Sequence, residues 1–168
     1  MRTRVGYAGG TKQHPTYEDL GDHSESVEMD FDPAVVSYEE LLKVFWESHD
    51  ATGEPWSCQY RAAIFVRGER QRQLATESRD REAARRGKPV RTPIETLSTF
   101  WRAEDYHQKY RLRNTPAVMD EFSKLFPDDR AFVDSTAAAR VNGLLDGYGS
   151  RETLAAEVPQ RVLKSIKQ

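Results

Sequence analysis

The clearest periodic pattern in the chain lies between residues 23 and 31, where apolar and polar positions alternate. One face carries His23, Glu25, Val27, Met29 and Phe31, and the other carries Ser24, Ser26, Glu28 and Asp30. A period of two is typical of a strand with one face buried. We therefore predict a half-buried strand whose apolar face, including Glu25, points toward the core.

A second pattern has the helical period. Ser37 and Glu40 have the spacing of a capping box, the arrangement that opens many helices. Apolar positions follow at intervals of three and four residues, namely Tyr38, Leu41, Leu42, Phe45 and Trp46. These two signals together predict an amphipathic helix that begins just after Ser37.

The remaining elements are read from shorter signals. A short strand is expected around residues 5–7, a strand buried on both faces over residues 58–66, and an edge strand over residues 90–97, where Pro93 cannot donate a hydrogen bond. Residues 69–86 predict a polar surface helix, and the chain beyond Asn114 reads as helical, with Pro159 splitting the last helix. Strands interleaved with helices, followed by a helical tail, indicate the α+β class.

The composition of the chain excludes several classes of function. The 168 residues include 25 basic and 27 acidic side chains, a net charge of -2, which disfavours a general nucleic-acid or anionic-membrane binder. The apolar run at residues 62–66 is too short to span a bilayer, and the N-terminus lacks the pattern of a signal peptide, so we expect a cytoplasmic protein. The single cysteine, Cys58, forbids an internal disulfide, and the spacing of the four histidines predicts no metal site.

Glu25 is the most informative candidate for chemistry. If it is buried on the apolar face without a cationic partner, its pKa rises, and the protonated carboxyl becomes a general acid. The alternative is a glutamate at a strand end that reaches solvent or pairs with an arginine. His23, two residues earlier on the same face, either tunes Glu25 or forms a structural hydrogen bond.

Two phenols and one thiol complete the set of candidates. Tyr17 and Tyr60 are suited to donate hydrogen bonds to an oxygen that gains negative charge, although the pattern favours a structural role for either tyrosine taken alone. Cys58 is predicted to share a strand face with Tyr60, where a lone cysteine is usually an inert buried residue.

Several ordered segments resemble one family, the peptide methionine sulfoxide reductases of the A type. The segment at residues 3–10, followed by Pro15-Thr16-Tyr17, is similar to the family's VGYAGG and PTY motifs. The other similar segments are Asp22-His23-Ser24-Glu25, residues 31–50, Gln59-Tyr60-Arg61-Ala62-Ala63-Ile64 and residues 100–108. The resemblance covers about residues 3–110.

The resemblance implies a two-layer α/β sandwich of ferredoxin-like character and a sulfenic-acid mechanism that reduces methionine-S-sulfoxide. Carried over by motif, the acid falls on Glu25 and the phenols that bind the sulfoxide oxygen fall on Tyr17 and Tyr60, with His23 beside the substrate. No bound cofactor is implied. The implied partners are oxidised-methionine proteins or peptides and an external thiol, namely thioredoxin, glutaredoxin with glutathione, or dithiothreitol.

The chain also departs from the family pattern. The family's GCFWG segment, which carries the nucleophilic cysteine, has its expected place upstream of Val5, so we expect the nucleophile to precede Met1 and the fold to be incomplete at its N-terminus. Cys58 stands where the family has a threonine and is only a surrogate nucleophile. Pro55, Trp56 or Glu54 stands in the neighbourhood of a family aspartate that has no match.

Two functions therefore stay open. The first is a methionine sulfoxide reductase, and the alternative is a module that binds methionine sulfoxide without chemistry, or an inactive fragment. The expected domain organisation is a reductase-like domain over residues 1–112 and a helical C-terminal extension over residues 113–168, packed on the same domain.

Overall fold

The structure is a computed structural model that describes residues 1–166. Its strands are β1 (Arg2–Ala8), β2 (Ser24–Asp30), β3 (Ile64–Val66), β4 (Ile94–Thr96) and β5 (Phe100–Arg102). They form a three-stranded sheet in the order β2-β1-β5 and a two-stranded sheet of β3 and β4. This combination of small sheets with helices confirms the predicted mixture of strand and helix, while the ferredoxin-like sandwich stays a prediction.

The helices occupy the middle and the C-terminal part of the chain. They are α1 (Tyr38–Glu47), α2 (Glu69–Arg86), α3 (Tyr110–Arg113), α4 (Pro116–Leu125), α5 (Asp129–Val133), α6 (Thr136–Leu145), α7 (Arg151–Leu154) and α8 (Gln160–Ser165), with a 3₁₀ turn at Asp105–His107. The predicted break near Pro159 is confirmed, because Pro159 is the N-cap of α8. Within residues 1–166, no helix combines the length and the apolar character needed to cross a bilayer.

The capping box of α1 forms as predicted. The Ser37 hydroxyl accepts a hydrogen bond from the Glu40 backbone N–H, and the Glu40 carboxylate accepts one from the Ser37 backbone N–H. The apolar face of α1 packs in a core with Ile64 and Ala75 through Leu42 and Trp46. Reciprocal caps satisfy two backbone donors at the helix start, which fixes where the helix begins.

Two of the predicted strands are shorter than expected. Of residues 58–66 only β3 is extended, because the chain turns at residues 57–61, where the Tyr60 N–H donates to the Ser57 hydroxyl at 3.3 Å. Of residues 90–97 only β4 is a strand, and it pairs with β3 in parallel. The sequence analysis did not predict β5, which pairs antiparallel to β1 with Gly6 opposite Arg102.

Strand β2 alternates as predicted, but the buried face is the opposite one. Val27 is 56% exposed and Met29 is 39% exposed, whereas Ser24 is buried. Arg4 pairs with two side chains of the polar face, donating to Glu28 at 3.0 Å and to Asp30 at 2.7 Å. These ion pairs favour the observed orientation, and the prediction that the apolar face points to the core is wrong.

The described chain divides into two compact units, and each has its own hydrophobic core. One unit comprises residues 1–5, 27–30 and 103 onward, and its core is built from the C-terminal helices around Phe122 and Phe132. The other comprises residues 6–26 and 31–102, and its core surrounds Trp46 and Val66. All of the candidate site residues lie in this second unit.

Candidate active site

The site is built on a backbone connection between the start of β2 and the turn at residues 57–61. The Glu25 N–H donates to the Gln59 carbonyl at 2.9 Å, and the Ser24 hydroxyl donates to the Cys58 carbonyl at 2.9 Å. These bonds hold Glu25 beside the turn that carries Gln59 and Tyr60. The position of each side chain is thus set by main-chain atoms of the other segment.

Arg61 also holds the same turn in place through hydrogen bonds of its guanidinium. Its Nε donates to the Ser24 hydroxyl at 2.8 Å, and its two terminal nitrogens donate to the two carboxylate oxygens of Glu95 at 2.7 and 2.9 Å. A bidentate pair fixes the plane of the guanidinium and not only its distance. Arg61 thereby links the turn to both β2 and β4.

One amide group joins the candidate acid to a candidate phenol. The Gln59 Nε2 donates to the Glu25 Oε1 at 2.7 Å and to the Tyr60 hydroxyl at 3.0 Å. The amide has two N–H bonds, so both hydrogen bonds form at once. We call Glu25, Gln59, Tyr60 and Tyr17 the polar network, since Tyr60 is in turn hydrogen-bonded to Tyr17.

The network shifts the pKa of the Tyr60 phenol. The hydrogen bond with Tyr17 raises this pKa above its usual value of 10, partial desolvation and the nearby Glu25 act in the same direction, and the hydrogen bond from Gln59 acts in the opposite direction. A phenol holds its proton at neutral pH, so Tyr60 is able to donate a hydrogen bond. Tyr17 and Tyr60 are 41% and 45% exposed, so an incoming oxygen has access to both residues.

Glu25 is exposed, which contradicts the prediction that it is buried. The reason is the reversed orientation of β2, in which residues 25, 27 and 29 form the outward face. The alternative interpretation, a glutamate that reaches solvent, describes its surroundings correctly. What brings Glu25 to the two tyrosines is its contact with Gln59, and the sequence analysis did not assign a role to that residue.

His23 is buried, with 1% of its surface exposed, and its ring contacts the backbone of the glycine-rich loop. Its Nδ1 accepts a hydrogen bond from the Gly10 N–H at 3.2 Å, and its Nε2 lies 2.8 Å from the Lys12 carbonyl. An acceptor at Nδ1 and a donor at Nε2 describe a neutral imidazole. This geometry favours the structural interpretation of His23.

Asp22 holds the same loop, and the sequence analysis gave it no role. Its carboxylate accepts hydrogen bonds from the Thr11 backbone N–H at 2.8 Å, from the Thr11 hydroxyl at 2.9 Å and from the Lys12 N–H at 3.2 Å. The bond from the Thr11 backbone N–H is the largest of the causes that lower the pKa of Asp22 from 3.8 to about 2. A side chain at Gly10 would lie 2.6 Å from this carboxylate, so the Gly-Gly pair was the available signal of close packing.

Cys58 is exposed and does not lie in a strand, contrary to the prediction of a buried strand position. Its thiol donates to the Asp22 carbonyl at 3.2 Å. The turn at residues 57–61 ends the predicted periodicity of two, so Cys58 and Tyr60 do not share a strand face. Among the described residues, no group of three or more His, Cys, Asp and Glu side chains is arranged to hold a metal ion.

Trp56 contacts the polar network through the ring of Tyr60. Its indole is stacked on the Tyr60 ring, with the ring centroids 4.9 Å apart and the planes inclined by 22°. The indole is nevertheless 81% exposed. The sequence analysis noted Trp56 only as a residue near an unmatched family aspartate, and nothing in the periodicity marked it as a neighbour of Tyr60.

Comparison with known proteins identifies related chains. The family model described as peptide methionine sulfoxide reductase matches residues 1–139. The peptide methionine sulfoxide reductase MsrA of Methanothermobacter thermautotrophicus is 47% identical over 68% of this chain and 74% of that protein. The peptide methionine sulfoxide reductase A5 of Arabidopsis thaliana is 40% identical, and the match covers 99% of this chain and 63% of that protein.

The peptide methionine sulfoxide reductase of Drosophila melanogaster is also 40% identical, over 94% of this chain and 63% of that protein. The chain thus spans just under two thirds of the length of the Arabidopsis and Drosophila relatives. Among solved structures, Mxr1 from Saccharomyces cerevisiae in reduced form is similar, with a TM-score of 0.62 and 26% identity over 68% of this chain and 71% of that one. On these matches, the chain belongs to the peptide methionine sulfoxide reductase family.

Proposed function

We propose that the protein carries the sulfoxide-binding and proton-donating groups of a peptide-methionine (S)-S-oxide reductase, an enzyme that reduces methionine-S-sulfoxide, in proteins or free, to methionine. The single observation that carries the proposal is the polar network. Its carboxyl and two phenols are the three groups that the family resemblance assigns to the sulfoxide oxygen, and Gln59 holds two of them within 3.0 Å of its amide nitrogen.

The three groups have distinct roles in this proposal. Tyr17 and Tyr60 donate hydrogen bonds to the sulfoxide oxygen, since both phenols hold their protons at neutral pH. Glu25 transfers a proton to that oxygen as it gains negative charge. His23 and Asp22 act at a distance, because they fix the loop at residues 10–12 and not the substrate.

The chemical step also needs a thiolate. The thiolate sulfur attacks the sulfoxide sulfur and forms a bond between the two sulfur atoms, while the oxygen takes a proton from Glu25. The hydroxyl then moves to the cysteine sulfur as the bonds from the methionine sulfur to oxygen and to the cysteine sulfur break, which gives a cysteine sulfenic acid and methionine. None of the segments that resemble the family carries a counterpart of this cysteine, and Cys58 is the one cysteine of the sequence. Cys58 is the weaker candidate for the nucleophile because its thiol donates a hydrogen bond to the Asp22 carbonyl.

An external thiol completes the proposed cycle and needs no bound cofactor. One reductant thiol converts the sulfenic acid to a mixed disulfide and water, and a second thiol releases the cysteine and the oxidised reductant. Thioredoxin, glutaredoxin with glutathione, and dithiothreitol all supply two such thiols. A cytoplasmic setting belongs to the proposal because that compartment maintains reduced thiols.

The proposal extends to architecture. Residues 1–112 form the reductase domain, a two-layer α/β sandwich of ferredoxin-like character, and residues 113–168 form a helical extension packed on it. Support for the packing comes from the unit that contains residues 1–5 and the C-terminal helices, where Arg4 donates to Asp134 at 2.8 Å. The likeness to Mxr1 supports the α/β class.

Binding of a sulfoxide peptide tests the recognition half of the proposal. We expect the 168-residue protein to bind a peptide with methionine-S-sulfoxide more tightly than its methionine counterpart, as measured by isothermal titration calorimetry. Tyr60→Phe and Tyr17→Phe should each weaken binding about 2- to 10-fold, the effect of one lost hydrogen bond. Tyr148→Phe is the matched control because Tyr148 is 73% exposed and lies outside the network.

Turnover tests whether this chain supplies the attacking thiolate itself, and turnover would exclude the alternative, a module that binds methionine sulfoxide without chemistry. With dithiothreitol we expect this chain to produce no methionine, because no matched thiolate is available to attack sulfur. Turnover that disappears in Cys58→Ser would promote Cys58 to nucleophile. Equal affinity for the sulfoxide and the reduced peptide would refute the proposed function in both forms.

A further inference from the structure

Trp56 occupies a defined place although its indole is exposed. It follows Pro55, whose ring fixes one backbone dihedral angle. The loop is fastened at two points by Arg91, whose N–H donates to the Ala51 carbonyl at 2.8 Å and whose guanidinium pairs with Glu54. The indole is therefore presented by a restrained loop.

An exposed apolar side chain is not unusual by itself, because single ones are common on protein surfaces. The distinguishing observation at Trp56 is the stack on Tyr60, at a centroid separation of 4.9 Å. One end of the Tyr60 ring carries the hydroxyl that belongs to the polar network, and the ring itself is covered on one side by the indole. The exposed area of Trp56 thus directly adjoins the groups proposed to hold the sulfoxide.

We propose that Trp56 forms a subsite for an apolar side chain that neighbours the oxidised methionine in a peptide. This inference rests on the proposed function. Consecutive Cα atoms of a peptide are about 3.8 Å apart. A substrate whose sulfoxide oxygen reaches Tyr60 therefore brings its adjacent residues into the range of the indole. Free methionine sulfoxide has no neighbouring side chain and gains nothing from Trp56.

The chemistry of the indole sets the preferred neighbour. Its large apolar face lies open to water, and covering it with an apolar side chain removes both surfaces from water. A leucine beside the oxidised methionine provides such a surface, whereas a glycine does not. The expected discrimination is about tenfold in Kd, which corresponds to about 1.4 kcal/mol of added contact.

Calorimetric titration of the 168-residue protein with two capped peptides tests the inference. One peptide has methionine-S-sulfoxide between two leucines, and the other has it between two glycines. Wild type should bind the leucine peptide about tenfold more tightly. Trp56→Ala should abolish this preference while leaving the affinity for the glycine peptide within about twofold, and Trp56→Phe should retain part of the preference.

The control is Val35→Ala, which removes another exposed apolar side chain and should leave the preference intact. Circular dichroism and the thermal midpoint establish that each variant is folded. A preference that persists in Trp56→Ala, or is missing from wild type, would overturn the subsite. An equal loss of affinity for both peptides would also overturn it, because Trp56 would then act only by supporting Tyr60. Failure of wild type to distinguish sulfoxide from methionine refutes the proposed function instead.

Discussion

Replacement of Gln59 by leucine removes the amide that connects the polar network. The change deletes a hydrogen bond of 2.7 Å to Glu25 and one of 3.0 Å to Tyr60. The backbone bond from the Glu25 N–H to the Gln59 carbonyl is independent of the side chain and remains possible. The variant therefore keeps the two segments together while it releases the two functional side chains.

The effect on folding and the effect on binding differ in size. A hydrogen bond to a carboxylate contributes about 1.5–3 kcal/mol to stability, and one to a neutral hydroxyl about 0.5–1.5 kcal/mol. Glu25 and Tyr60 are exposed, however, so water replaces the amide, and the free energy of unfolding should fall by no more than about 1 kcal/mol. On binding, each released side chain must be ordered again at about 0.5–1.5 kcal/mol, so the two together reduce affinity by about 1–3 kcal/mol, or 5- to 150-fold in Kd.

Titration calorimetry with the sulfoxide peptide measures this loss, and urea unfolding measures the stability. Gln73→Leu is the matched control, because Gln73 donates to Glu77 at 2.9 Å on the surface of α2. A double-mutant cycle of Gln59→Leu with Tyr60→Phe should show non-additive losses, since both changes act on one network. The reasoning would be refuted if Gln59→Leu and Gln73→Leu both changed Kd less than twofold, or if the cycle were additive.

Two further predictions concern the loop behind the site. Gly10→Ala should lower the free energy of unfolding by about 1–3 kcal/mol, because the new Cβ would lie 2.6 Å from the Asp22 carboxylate. Gly68→Ala is the control, because a Cβ at Gly68 meets nothing within 4 Å. Equal urea midpoints for the two variants would contradict the packing argument. The lowered pKa of Asp22, about 2 instead of 3.8, means that its contribution to stability is fully present above pH 3.8 and is lost as the pH falls through 2. Carboxyl chemical shifts followed by NMR should give a midpoint near 2, and Asp22→Asn should remove the corresponding acid dependence; a midpoint near 3.8 would show that the Thr11 bonds do not persist in solution.

The sequence predicted correctly those boundaries that depend on residues close together in the chain. The helix α1 begins where the Ser37 and Glu40 capping box places it, since both partners of the cap lie within three residues of each other. The start of α8 also has a local signal, because Pro159 is its N-cap. Such features depend on the backbone and its nearest side chains, which a single sequence displays directly.

The alternating pattern of β2 could not predict which of its two faces is buried. The alternation predicts one apolar and one polar face, and the hydrophobic side chains of Val27 and Met29 led to the prediction that their face is buried. The ion pairs of Arg4 with Glu28 and Asp30 join positions 24 and 26 residues apart, and they favour the opposite face. A contact between distant residues therefore reversed an inference that was sound for the isolated strand.

The polar network also depends on contacts between residues that are distant in the sequence, and the reason for which Glu25 was selected is wrong. Glu25 was selected for burial, yet it is exposed, and its place beside Tyr60 depends on main-chain bonds from residues 24 and 25 to residues 58 and 59. Ser57 is a local signal of that turn, because its hydroxyl accepts a hydrogen bond from the Tyr60 N–H. A carboxyl held by an amide at the surface is positioned without being desolvated. In the proposed function, then, the substrate itself must cover Glu25, and the stacked Trp56 and Tyr60 rings offer the apolar surface on which a peptide can do so.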